Sequence, residues 1–85
     1  MYKLIFDTRA LNFLNKLNKK DKKRIWNKLE DCKKDPFRFL IPLVGIGSYK
    51  LRVGNYRVLI DVENKIRILS VVKIGRRKNI YFRVN

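Results

Sequence analysis

The sequence predicts an α+β domain: a mostly antiparallel β-sheet packed on an N-terminal helical hairpin, in the order β-α-α-β-β-β with a further short strand at the end. Three observations predict it. Helical periodicity is confined to residues 8–35. Alternating apolar and polar residues, broken by short turn signals, begin at Ser48. Between them, residues 36–47 hold two Pro and two Gly. The chain has 85 residues, which fits one domain over residues 1–85.

Residues 2–6 read as a short strand, and Asp7 or Thr8 then caps a helix. Ala10, Leu14 and Leu17, with Leu11 and Phe13, form its apolar face. Asn18 to Lys20 interrupts the pattern and Asp21 restarts it. Ile25, Leu29 and Cys32 recur at helical spacing beside Trp26, while Lys22, Lys23, Arg24, Lys28, Lys33 and Lys34 take the other faces. Asp35 followed by Pro36 ends this second helix. Residues 36–47 are apolar but interrupted, which predicts an irregular connection pressed onto the core. Strands follow at 48–53, 56–62 and 66–73, with turns at Gly54-Asn55 and at 63–65. A last strand is expected at 79–84.

Charge restricts the function classes. The chain carries 22 Lys+Arg against 7 Asp+Glu, a net charge of +15. Such an excess repels itself and calls for a polyanion or a strongly acidic protein. Cys32 is the single cysteine and histidine is absent, so one thiol cannot form an internal disulfide and no His/Cys metal set can assemble. The expectation is no metal and no cofactor. No stretch approaches the ~20 apolar residues of a membrane span, and the start does not read as a signal peptide. The expected setting is therefore cytoplasmic, with no membrane partner.

The hairpin register arranges the charges. A two-residue Gly54-Asn55 turn pairs Val53 with Tyr56, Arg52 with Arg57, Leu51 with Val58 and Lys50 with Leu59. Cross-strand partners share a face and faces alternate along a strand. Tyr49, Leu51, Val53, Tyr56, Val58 and Ile60 thus form an apolar face, and Lys50, Arg52 and Arg57 lie on the other. A three-residue turn at 63–65 pairs Ile60 with Ile68 and Asp61 with Arg67. It continues the apolar face through Ile66, Ile68 and Val72, and places Leu69, Val71 and Lys73 on the basic one. Like charges directly across a sheet are unfavourable. Their accumulation without enough acid suggests an anion site, since phosphate accepts bidentate Arg bonds. A solvated basic face is the alternative. The tail, Lys73 to Arg83, adds Arg76, Arg77, Lys78 and Tyr81 after Gly75, whose bend is expected to swing Arg76 or Arg77 over the same face.

On these residues the sequence resembles the RelE/ParE toxin superfamily, most nearly its RelE branch. The resemblance is carried by Tyr49-Lys50-Leu51-Arg52-Val53-Gly54-Asn55-Tyr56-Arg57 and by Gly75-Arg76-Arg77 followed by Tyr81. It implies the toxin of a type II toxin–antitoxin system: a metal-independent, ribosome-dependent endoribonuclease that cuts mRNA in the A site and is neutralised by an acidic RelB-like antitoxin. Carried over by motif, Lys50, Arg52, Arg57, Arg77 and Tyr81 are the expected catalytic residues. Lys22, Lys23, Arg24, Lys73, Arg76 and Lys78 are expected to hold mRNA and rRNA. Arg76 departs from the His or Lys frequent in relatives, and the interval from Arg77 to Tyr81 is shorter than in some.

Without histidine, 2′-hydroxyl attack on the adjacent phosphate must rely on Lys, Tyr and Arg. A cationic cluster lowers the pKa of both Lys and Tyr, so Lys50 or Arg52 is expected to assist attack. Arg57 and Arg77 would stabilise phosphorane charge, and Tyr81 would stack on a base or transfer a proton. Two alternatives remain open: a ParE-like gyrase inhibitor with the same fold, and a non-catalytic basic RNA-binding protein.

Overall fold

The computed structural model describes residues 1–43 and 48–80. Strand β1 (Lys3–Phe6) leads into helix α1 (Thr8–Lys16), helix α2 (Lys19–Lys34) and the single helical turn α3 (Pro36–Phe39). Strands β2 (Ile41–Pro42), β3 (Tyr49–Val53), β4 (Tyr56–Glu63) and β5 (Ile68–Arg76) complete one sheet in the order β1-β5-β4-β3-β2. β1 pairs parallel to β5; the other pairings are antiparallel. The predicted α+β class stands.

Local chemistry explains the helix boundaries. The Asp7 side chain accepts from the Arg9 N–H and caps α1. Asn18 accepts from the Asp21 N–H at 2.9 Å and caps α2, satisfying an otherwise orphaned donor. The second helix therefore starts at Lys19 rather than at Asp21. Pro36 stands at the first position of α3, where its missing N–H costs nothing. The expected irregular connection thus holds a helical turn and a two-residue strand, with Val44 to Gly47 outside the described residues.

Ala10 and Leu14 from α1, and Ile25, Leu29 and Cys32 from α2, bury against Leu51, Val53, Tyr56, Val58 and Ile60 of the hairpin. The β3–β4 register matches the expected one residue for residue. The β4–β5 register does not. Its turn spans four residues, 64–67, so Glu63 pairs with Ile68, Asp61 with Ser70 and Ile60 with Val71. One extra residue inverts the faces of a strand. Leu69 and Val71 are fully buried, whereas Ile66 is 65% and Val72 43% exposed. Asp61 accepts a hydrogen bond from Ser48 instead of meeting Arg67. Arg67 lies over the Tyr2 ring, 5.3 Å from its centroid.

A register shift at Leu59/Ile60 then restores the parity. Val72 is the extra residue, and Lys73 faces Leu59 on the basic side. Lys73 thus lies on the expected face, although by a different register from the one that predicts it. Asn79 belongs to a turn and Ile80 to no strand, so the last strand does not begin where expected; its remaining residues, 81–84, lie outside the described residues. Among those described, no helix is long and apolar enough to cross a membrane.

A cationic sheet face and a cleft at the hairpin tip

Four predicted cations share the sheet face turned away from the helices. Lys50 stands between Ile41 of β2 and Leu59 of β4, and Arg52 directly opposes Arg57. Lys73 follows on β5. Arg52 and Lys73 are exposed, Lys50 is half-buried, and Arg57 is only 7% exposed.

Arg57 is held by its own hairpin. Its Nη1 donates to the Gly54 carbonyl and to the Tyr56 carbonyl, both at 2.8 Å. Burial, and then the charges of Arg52 and Arg77, push its pKa below the usual guanidinium value, yet a guanidinium stays cationic near neutral pH. The Arg77 backbone N–H donates to the Asn55 carbonyl at 2.7 Å, which fixes the start of the tail at the hairpin tip. Gly75, the cross-strand partner of Arg57, explains how the tail gets there. A Cβ on Gly75 would lie 3.3 Å from the Cβ of Ile80. The turn at 77–79 brings Ile80 back onto the glycine, where it is buried.

Arg76 precedes that turn. It pairs with Tyr56 on the helix-facing side, with its guanidinium 5.4 Å from the Tyr56 ring centroid. The Gly75 bend does not bring Arg76 to the basic face, and Arg77, just past the end of β5, lines the cleft beside it. Arg76, Arg77 and Lys78 line a cleft of about 580 Å³ with Asp21, Arg24, Asn55, Tyr56 and Asn79. Arg24 reaches this cleft from α2, whereas Lys22 and Lys23 do not line it. Tyr81 lies outside the described residues.

Sequence reasoning misses the pair that organises the cleft. Alternation assigns Tyr56 to the apolar face, and its ring is indeed buried, but its hydroxyl donates to the Asp21 carboxylate at 2.8 Å. That bond holds the Asp21 carboxyl below its ordinary value, aided by Asn18 and by the charges of Arg24 and Lys20. The same bond, together with burial, raises the Tyr56 phenol. Gly54 is legible as a turn residue, but its second use is not. At φ 56° it passes so close to Arg24 that a Cβ would lie 2.8 Å from Nη2. In the sequence Asn18 to Lys20 reads only as a break between two helices, and nothing there brings Asp21 to Tyr56.

Comparison with known proteins agrees with this architecture. Residues 4–81 match the family profile described as the ParE toxin of the type II toxin–antitoxin system parDE. No curated protein matches the sequence. Among solved structures, the fold resembles a chain of the intact Escherichia coli RelBE toxin–antitoxin complex, with 28% identity and a TM-score of 0.76 over 89% of this chain and 96% of that one. The isolated E. coli RelE toxin is similar at 25% identity and TM-score 0.78, covering 89% and 84%. A chain of the Mycobacterium tuberculosis RelBE2 complex shares the fold at 24% identity and TM-score 0.80, covering 89% and 98%.

Proposed function

The chain belongs to the ParE toxin family of type II toxin–antitoxin systems, and from that premise we propose that it is a RelE-like endoribonuclease that cuts mRNA on the ribosome. One observation carries the reading. Arg57 is locked into the sheet with Arg52 directly opposite, and the charge of Arg77 acts on it as well. Such a cluster is costly for folding alone and suited to a phosphate that gains charge.

The reaction needs no atom beyond substrate and side chains. The 2′-oxygen forms a bond to phosphorus and loses its proton. The bond to the 5′-oxygen breaks, and that oxygen takes a proton. Lys50 and Arg52 stand on the strand opposite Arg57 and assist the attack. Arg57 contributes a fixed guanidinium: Nη1 is held by two carbonyls, so its charge is oriented before substrate arrives. Arg77 supplies the second guanidinium. Tyr81 is the proposed stacking or proton-transfer group. Lys22, Lys23 and Lys73 extend the basic surface towards mRNA and rRNA. The reaction is positioned rather than driven by a strong base, so the ribosome supplies the substrate geometry. The proposed partner that silences the toxin is an acidic RelB-like antitoxin; the RelBE structures above are themselves toxin–antitoxin complexes.

The test is cleavage of translated mRNA, read by primer extension. Arg57→Ala and Arg77→Ala are each expected to lower the rate by about 10²–10³-fold. Arg57→Lys, which retains charge and loses the fork, separates chemistry from misfolding. Near-wild-type cutting by both alanine variants would sink the assignment. The ParE profile match favours one second reading, gyrase inhibition. Gyrase-dependent DNA breaks without new mRNA ends would select it.

A further inference from the structure

We propose that the cleft between the start of α2 and the end of β5 binds the phosphodiester backbone of RNA, at a site separate from the Lys50–Arg52–Arg57 face. The proposal rests on the RNA reading above and adds a second point of attachment to it.

The cleft has four cations, Arg24, Arg76, Arg77 and Lys78, and one carboxylate, Asp21. That carboxylate is already engaged, by the Tyr56 hydroxyl at 2.8 Å and the Asn18 amide at 3.1 Å. Among the described residues the ion pairs within 4 Å are Arg9–Asp7 and Lys33–Glu30, and neither involves a cleft cation. The arginines are placed by other means. Arg76 lies over the Tyr56 ring, and Arg24 occupies the space that the missing Gly54 side chain leaves. Guanidiniums positioned by packing, and held in no salt bridge among the described residues, keep their donor forks for a phosphate.

The lining also indicates which polyanion fits. Protein partners dock through buried apolar or aromatic anchors. The one aromatic residue in this cleft is Tyr56, which Arg76 covers. The rest is cations with Asn55 and Asn79, a set suited to phosphate oxygens. Arg77 connects the two places: it lines the cleft, and its backbone N–H donates to the Asn55 carbonyl at the tip of the hairpin that carries Arg57. A strand with one phosphate at Arg57 therefore has its neighbouring phosphates led around the Gly54–Asn55 tip into the cleft.

The experiment measures anisotropy of a labelled single-stranded RNA carrying 2′-O-methyl groups, which cannot be cut, across a salt series. The double variant Arg24→Gln/Arg76→Gln is expected to bind roughly tenfold more weakly at low salt. The slope of log K against log salt should fall in magnitude by about 1.4, or ~0.7 for each phosphate left without its cation. Lys65→Gln, in the turn at the far end of β4, is the control. If the double variant does not fold, Lys78→Gln carries the test with about half the slope change. A slope and affinity equal to the control for these variants overturn the proposal. So does weakened binding of poly-glutamate with the RNA slope unchanged, which would assign the cleft to an acidic protein. A wild-type chain that binds the blocked RNA through the cleft, yet never cuts translated mRNA, supports this site while refuting the cleavage reading.

Discussion

The β3–β4 hairpin turns through two residues, with Gly54 at φ 56°, and its register runs unbroken from Val53–Tyr56 to Tyr49–Ile60. The β4–β5 hairpin turns through four, with Arg67 at φ 57°, and its register shifts at Leu59/Ile60. Both need a left-handed residue. In the first, glycine supplies it without steric cost. In the second, a side chain is forced into a conformation that costs about 1–2 kcal/mol, and distant groups hold it there. The Arg67 guanidinium stacks on Tyr2, and the Arg67 carbonyl accepts from the Lys3 N–H at 2.8 Å. The first turn is a local device. The second is a tertiary one, built with the help of β1.

The largest test of this contrast is in the core. Leu69→Ala is expected to cost about 2–5 kcal/mol, because Leu69 is fully buried. Ile66→Ala should stay within about 0.5 kcal/mol, as an exposed turn position does. Urea denaturation decides between them, and the opposite ranking would restore the three-residue turn. The turns themselves come next. Gly54→Ala should destabilise by about 1–2 kcal/mol through the left-handed φ and also displace Arg24. Arg67→Gly should change stability by less than about 1 kcal/mol, since relief of strain offsets removal of the stack on Tyr2. A large destabilisation there would mean that the stack outweighs the strain.

Smaller effects come from titration. Asp21 has a lowered pKa in the fold, so its stabilisation is whole above its unfolded value near 3.8 and is lost as pH falls through the lower folded value. Tyr56 is raised above 10, so its part is whole below pH 10 and is lost as pH rises through the folded value. Asp21→Asn should remove the acid-side dependence, seen as a flatter urea midpoint between pH 3 and 5; an unchanged profile would assign it to other carboxylates. Cys32 is buried and its thiol is pushed up to about 11. The folded chain should resist thiol reagents at pH 8, and fast labelling would show that α2 opens.

Much of the cationic face is legible because it rests on short-range rules. Gly54 and Asn55 announce a two-residue turn, and alternation then aligns Lys50, Arg52 and Arg57. The cleft is not legible in the same way. Asp21 and Tyr56 are 35 residues apart and meet through helix–sheet packing. The placement of Arg76 over Tyr56 follows from one strand position, and the turn after it from Ile80 folding onto Gly75.

The sequence by itself determined the charge, the α+β class, the cap of the first helix and the β3–β4 register, since each depends on composition or on residues a few positions apart. Only the tertiary structure decided the faces of β5, the burial of Arg57, the path of Arg24 past Gly54 and the Asp21–Tyr56 bond. Those depend on a four-residue turn, a one-residue bulge and packing between distant segments. Because strand faces alternate at every residue, a single added position in that turn reverses which side chains reach the core.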